Sequence, residues 1–352
     1  MISLLFYNSR VLTRNAKLAV SLCLFTFSFC LTTFPQDKMS TLYGAVSKRF
    51  DAYNVILRPD KLEPEWWAGA PSGARDDEGV FWLACRMRSA ELPRGLRGYE
   101  IRILRSGDGI HFKKVHSILA TDVPIKGFER PALLRDPHTK KWKLYACGPW
   151  QDGPWSIIKF DDAERPDEFV ASTARAVISP IKKTYERDVI PVEYKDPVIA
   201  YADGAYHAYL IGYMRRNERI YHFTSGDGES WRPEGDPHQS VMQLDGWHDF
   251  FVRPSSLLPI GAGWLFVYEG SNVSWYDPVY NVQTGLAFTF DLHRMIDLTP
   301  DEPLIKSSTP NQQFSTFRYS HWLEVGNEIW VYAEVAAEDE THEIRLFRLP
   351  KQ

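Results

Sequence analysis

Two carboxylates stand at matching places in two similar stretches of the chain. Glu129 lies in FERPALLRDPHTKKWKLYACG, which begins at Phe128, and Asp196 lies in YKDPVIAYADGAYHAYLIGY, which begins at Tyr194. A proline follows each closely, Pro131 or Pro197, and a β-prone run comes after it. Two carboxyl groups in one place can divide acid–base work, one giving up a proton while the other attacks or accepts one. Arginines gather at the same places. Arg130 follows Glu129, and Arg253 and Arg318 open FVRPSSLLPIGAGWLFVYEG and FRYSHWLEVGNEIWVYAE. A guanidinium binds carboxylate or phosphate through a planar fork. Lys195 precedes Asp196, and His321 follows shortly after Arg318. Glu269, at the end of a β-prone run, is a third candidate carboxylate, and Asp249 is similarly placed.

These residues need elements that bring them together, and an internal repeat supplies them. The four stretches above and AGAPSGARDDEGVFWLACR from Ala68 share one pattern: a short apolar strand, a polar turn, then a strand rich in aromatic and branched residues. A third strand follows each, for example YEIRILRS and HEIRLFRL. Aligning Pro71, Pro131, Pro197 and Pro254, with Tyr319 in the fifth copy, gives spacings of 60, 66, 57 and 65 residues. Such even spacing of a four-stranded unit predicts an all-β fold, a five-bladed β-propeller with an axial pocket. The last copy ends without room for an outer strand, and the segment from Tyr43 to Leu57 is expected to provide it. Two separate β-sandwiches would leave the even repeat without a cause.

In a propeller the first strand of each blade lines the axis. The residue before the aligned proline then reads Ala70, Arg130, Asp196, Arg253 and Arg318, and the one before that Gly69, Glu129, Lys195, Val252 and Phe317. Charges there must pair or face a polar cavity. Neighbours in a strand point to opposite sides, so Glu129 and Arg130 can share one cavity only if a bulge intervenes.

Composition narrows the classes of partner. The chain has 352 residues and a net charge of −4, which argues against nucleic-acid binding. Aromatics reach 14%, apt for packed sheets and for sugar-binding clefts. Cys85 and Cys147 each fall inside a strand and read as small buried thiols. There is no GxxxxGK[ST] loop, no strand-bound GxGxxG, no HExxH and no GxSxG elbow. No cofactor and no catalytic metal are expected, and a structural axial ion such as calcium is compatible with the pattern.

Residues 1–38 stand apart. Arg10, Arg14 and Lys17 precede the apolar run Leu18–Phe34, as in a signal peptide or a membrane anchor. No small-residue cleavage site follows, so a true start at Met39 is the third option. Residues 39–352 form the expected propeller domain. Contact with a membrane is expected only through the N-terminal segment, giving a secreted or anchored protein if it is genuine and a cytoplasmic one if translation starts at Met39.

From Glu129-Arg130-Pro131, Lys195-Asp196-Pro197, the Ser-x-Asp-Gly turns and the YEGS that begins at Tyr268, the body resembles the five-bladed propeller glycoside hydrolases, the arabinanase, xylosidase and invertase group with families 43, 32 and 130. The resemblance spans roughly residues 60–350. It implies hydrolysis of a terminal sugar in an axial pocket, with Glu129 as general acid and Asp196 as base or transition-state stabiliser. Arg130, Lys195, Arg253, Arg318 and His321 would bind the carbohydrate substrate. The family carries an aspartate on the first strand of the first blade, where this chain reads Gly69-Ala70-Pro71. That gap keeps two alternatives in view: a phosphorylase using the arginines for phosphate, and a non-catalytic propeller that binds carbohydrate or protein. The arginines equally fit an anionic sugar such as a uronate.

Overall fold

The computed structural model describes residues 48–180, 193–214, 217–237, 239–309 and 314–351. The chain divides into two units at Lys48/Arg49, and the strands belong to the second, Arg49–Gln352. The signal-like or anchor-like segment 1–38 and the alternative start at Met39 lie outside the described residues.

The described residues are all-β apart from single 3-10 turns. After β1 (Asn54–Leu57) the strands fall into groups. The first holds β2 (Trp67–Arg75), β3 (Phe81–Arg88), β4 (Gly98–Ser106) and β5 (Lys113–Leu119). The second holds β6 (Ala132–Arg135), β7 (Trp142–Pro149), β8 (Trp155–Lys159) and β9 (Arg175–Ile178). The third holds β10 (Glu193–Ala202), β11 (Ala205–Met214), β12 (Asn217–Ser225) and β13 (Arg232–Pro233). The fourth holds β14 (Phe251–Ile260), β15 (Gly263–Ser271), β16 (Gln283–Thr289) and β17 (Ile296–Asp297). The last holds β18 (Phe317–Val325), β19 (Glu328–Ala336) and β20 (His342–Pro350). Within each group successive strands pair antiparallel. The last group takes its outer strand from the N-terminal side, since β1 pairs antiparallel with β20. Phe50 fixes that return by packing on Phe317, Trp322 and Phe347.

The first strands touch in cyclic order, β2 beside β6, then β10, β14, β18 and β2 again. Single parallel bridges, Trp67 to His342 and Glu218 to Phe251, link neighbouring groups. Apolar side chains fill the layers between groups. Trp82, Ile101 and Ile103 meet Leu133, Trp142 and Leu144, while Tyr145 and Ile157 meet Ala208 and Leu210. β3 and β7 are buried along their whole length, whereas β1 and most of β5 face solvent. A strand covered on both faces reads as a continuous apolar run, which is why the second strands dominate the sequence pattern.

A second repeat joins three of the layers. In the Ser-x-Asp turns and the matching Thr289-Phe290-Asp291 turn, Asp108, Asp227 and Asp291 accept two backbone N–H bonds each, folding the turn on itself. A tyrosine of the preceding group then donates its hydroxyl to the turn: Tyr332 to the Gly109 carbonyl, Tyr145 to Gly228 and Tyr209 to Leu292, at 2.8, 2.7 and 2.6 Å. All three tyrosines are fully buried. The matching residues of the other two groups are Ala84 and Val267, which can form no such bond. Removing one hydroxyl leaves a buried carbonyl without its donor, which costs about 1–3 kcal/mol. Tyr145→Phe and Tyr332→Phe should each lower the unfolding free energy in urea by about that much. The sites share no partner, so the double variant should lose the sum of the two.

Candidate functional site

Every group carries the same irregularity where its first strand starts. The register slips by one residue between Gly69 and Ser72, Lys195 and Val198, Pro254 and Ser256, and Arg318 and His321. The second group follows suit, since Glu129 donates its N–H to the Cys147 carbonyl at 3.0 Å while Ala132 already pairs with Tyr145. A bulge of this kind turns consecutive side chains away from strict alternation. It removes the obstacle to Glu129 and Arg130 both serving the interior. Ala70, Asp196 and Tyr319 take positive φ there, 48°, 49° and 51°, an uncommon conformation for residues with a Cβ.

The register also corrects the alignment by prolines. Pro71, Pro131 and Pro197 match one another, but their partners in the fourth and fifth groups are Ser255 and Ser320. Arg253 and Arg318 therefore stand level with Gly69, Glu129 and Lys195, and Tyr319 and Pro254 stand level with Ala70, Arg130 and Asp196. The expected column of Ala70, Arg130, Asp196, Arg253 and Arg318 mixes two levels.

The N–H of each bulge residue is met by the neighbouring group. Asp196 donates to Cys147 Sγ at 3.1 Å, Tyr319 to Glu269 Oε1, and Ala70 to Glu334 Oε2 at 3.0 Å. Arg130 donates its backbone N–H to Asp196 Oδ1 at 3.2 Å. Pro254 has no N–H, and the residue of the third group equivalent to Cys147, Glu269 and Glu334 is the apolar Ile211. Polar residues on the second strands are thus placed by a backbone requirement.

Several of the sequence candidates meet at Tyr319. Its hydroxyl donates to Asp196 Oδ2 at 3.0 Å, and its N–H goes to Glu269. The guanidiniums of Arg86, Arg130 and Arg318 surround its ring. Asp196 is 4% exposed and Glu269 fully buried, with Ser255 Oγ donating to Glu269 Oε1 at 2.7 Å. Glu269 Oε2 has no hydrogen-bond partner among the described residues. Burial pushes the Glu269 carboxyl up to about 7, against the pull of Arg130, Ser255, Arg253 and Arg318.

The arginines are largely committed within the protein. Arg253 pairs with Glu218, and Arg318 gives Nε and Nη2 to Glu334 Oε1 at 2.9 and 2.7 Å. Arg130 donates to the carbonyls of Pro254 and Ser255 at 3.0 and 2.5 Å. Glu129 pairs with Arg86 and keeps 12% of its side chain exposed. Lys195, 19% exposed, lies 3.7 Å from Glu193 and 3.9 Å from Glu218. His321 is partly buried, and burial with Arg130 nearby pushes its imidazole down to about 4, so it is neutral at pH 7.

Sequence reasoning missed Arg86, Glu218, Tyr319 and above all Glu334. Glu334 is fully buried and takes Arg318, Arg86 Nη2 at 3.1 Å, His342 Nδ1 at 2.7 Å and the Ala70 N–H. Burial alone would raise its carboxyl, but Arg318, Arg86 and His342 outweigh that and hold it well below the usual range. It also accounts for the absent first-strand aspartate. A Cβ on Gly69 would collide with Glu334 Oε2. The fifth group supplies a carboxylate where the first has room for none. The available signal was a glutamate near the end of both second strands, GWLFVYEG and EIWVYAE, and the register sets Glu269 and Glu334 at equivalent positions.

Cys85 and Cys147 are buried free thiols, as expected. No group of three or more His, Cys, Asp or Glu fit to hold a metal occurs among the described residues. A cavity of about 620 Å³, lined by His207, Trp231, Glu234 and His293 among others, involves none of the candidate site residues.

No family model matches the sequence, and no curated protein sequence matches it. Solved structures do share the fold. A glycoside hydrolase is similar with a TM-score of 0.64 at 12% identity, over 91% of this chain and 97% of that one. A putative glycoside hydrolase from Parabacteroides distasonis gives 0.61 at 14%, over 85% and 97%. The β-1,2-mannobiose phosphorylase from Listeria innocua, in complex with β-1,2-mannobiose, gives 0.61 at 14%, over 85% and 94%. The all-β architecture is that of the propeller glycoside hydrolase group.

Glu334 and Glu269 predict opposite behaviour. Glu334→Gln strips buried Arg318 of its counter-charge and Arg86 of one of its two carboxylates, and should cost about 3–5 kcal/mol in chemical denaturation. Between its ordinary value of 4.5 and about 7, folded Glu269 holds a proton that the unfolded chain has lost. Its contribution is complete at low pH and is lost as pH rises through 7, on the order of 3 kcal/mol. Glu269→Gln should therefore gain stability relative to the natural protein between about pH 5 and about pH 8.

Proposed function

We propose that the five groups close as the blades of one propeller and that the chain is a glycoside hydrolase acting on a terminal sugar at an axial pocket. The observation that carries this reading is the convergence of Glu129, Asp196 and Glu269 from separate groups onto one connected cluster around Tyr319 and Arg86. The cyclic contact of the first strands supports the ring. The shared fold of the glycoside hydrolases and of the mannobiose phosphorylase supports the chemistry.

The environments divide the work. Glu129 pairs with the Arg86 guanidinium and reaches solvent, the setting suited to attack on the anomeric carbon or to activation of water. This departs from the acid role that the Glu-x-Pro resemblance implies. Asp196, oriented by the Tyr319 hydroxyl and the Arg130 N–H, steadies the positive charge that develops on the sugar. Glu269 holds a proton near neutrality on a carboxyl with one uncommitted oxygen and is the acid. It is fully buried, so sugar binding has to move the Tyr319 layer to uncover it. Hydrolysis fits better than phosphorolysis because Arg253 and Arg318 already serve Glu218 and Glu334.

A panel of aryl glycosides, assayed with and without phosphate, tests the assignment. Turnover should occur without phosphate, and Glu129→Gln and Asp196→Asn should each lower kcat by about a thousandfold or more while the fold persists. Glu269→Gln should remove the basic limb of the pH–rate profile and hurt poor leaving groups most. Strict dependence on phosphate would make the chain a phosphorylase, and sugar binding without turnover would make it a binder. Full activity of Glu269→Gln on a poor leaving group would take that residue out of the mechanism.

A further inference from the structure

Among the described residues, one buried cation lacks a carboxylate partner. Arg88 is 2% exposed, and its one polar partner among the described residues is the Tyr280 hydroxyl, at 3.2 Å. Its Nε has no acceptor. The other buried guanidiniums are provided for. Arg86, Arg253 and Arg318 have Glu129, Glu218 and Glu334, and Arg130 has two carbonyls with Glu269 and Asp196 close by. Burial weighs most against its charge, the Tyr280 oxygen beside it favours the charge, and the neighbouring cations Arg86 and Arg318 repel it. A buried charge without a partner is costly, so its retention calls for a use.

Other polar atoms nearby also lack partners among the described residues. Arg88 lies over the Trp67 ring at 4.1 Å, and Trp67 stacks on His342 with centroids 4.0 Å apart. Trp67 Nε1 and His342 Nε2 are also buried without a hydrogen-bond partner. Tyr280 is ringed by Arg88, Arg94 and Arg318, and these outweigh burial to pull its phenol below the usual range. Arg94 reaches solvent on the same ring, with Glu65 at 3.3 Å and Asp277 at 3.5 Å to balance it. Arg318 ties this corner to the cluster through Glu334, which also binds Arg86, the partner of Glu129.

We infer that Arg88, with the Tyr280 hydroxyl beside it, receives the carboxylate of an acidic sugar, so that the substrate is a uronate-type glycoside. This rests on reading the chain as carbohydrate-active. A carboxylate fits the guanidinium fork and carries one negative charge, which matches the single uncompensated cation. Phosphate, with roughly one and a half charges at neutral pH, would overcompensate that cation.

Calorimetric titration of the whole chain with methyl glycosides of glucuronic and galacturonic acid, beside those of glucose and galactose and inorganic phosphate alone, tests this. A uronide should bind about tenfold or more tighter than its neutral counterpart, and added salt should weaken only the uronide. Arg88→Met, close in volume, should abolish that preference while neutral sugars still bind, and Tyr280→Phe, a milder change, should reduce it. Equal affinity for uronides and neutral sugars overturns the proposal and leaves the carbohydrate reading standing. A uronide preference that survives in both variants overturns the assignment to Arg88. Phosphate binding that depends on Arg88, with no uronide preference, replaces the carboxylate with phosphate. Binding of no sugar at all defeats the carbohydrate reading and this inference with it.

Discussion

The slip of one residue at the start of each first strand is the constraint from which the centre of this protein is built. A regular strand would send alternate side chains to opposite faces and satisfy every N–H within its own sheet. The slip frees one N–H per group and points it at the neighbour, where a buried donor must find an acceptor. Cys147, Glu269 and Glu334 meet that demand, Asp196 meets it for Arg130, and Pro254 avoids it. Carboxylates placed as acceptors then require cations, and the arginines follow.

What the sequence revealed and what it concealed have the same physical origin. The second and third strands are buried on both faces, so their aromatic and branched runs recur visibly, and the four-strand unit with its closure by β1 could be read directly. Prolines were a poorer guide. Pro254 sits one place earlier in its bulge than Pro71, Pro131 and Pro197, and the fifth group has none, so the column of charges came out one level off in two groups. Glu334 was hidden because the contacts that account for it, with Gly69, Ala70 and Arg86, are remote in sequence. It answers Gly69 and Ala70 across the junction between the last group and the first, and no local pattern reports that contact. The absent aspartate and the unnoticed glutamate were two sides of one substitution.

A buried ionic cluster is not a source of net stability, because desolvation offsets most of the attraction. Its value lies in fixing geometry. Tyr319 is held through its N–H by Glu269 and through its hydroxyl by Asp196, and guanidiniums lie about its ring. It therefore couples two carboxyl groups that belong to different groups of strands. Their surroundings differ. Asp196 receives donors on both oxygens, whereas Glu269 keeps one oxygen without a partner and is pushed towards its protonated form by burial.

That difference sets the charge of the centre. With Glu269 protonated, the guanidiniums of Arg86, Arg88, Arg130, Arg253 and Arg318 outnumber by one the carboxyl groups of Glu129, Asp196, Glu218 and Glu334 among the described residues of the cluster. The excess does not spread evenly. Glu334 and Glu218 tie down Arg318 and Arg253, and carbonyls hold Arg130, so the uncompensated charge falls on Arg88 at the corner shared with Trp67 and Tyr280. The chemistry proposed for the carboxylates and the acidic sugar proposed for Arg88 are thus linked through electrostatics, because the proton on Glu269 helps to keep the centre one positive charge in excess.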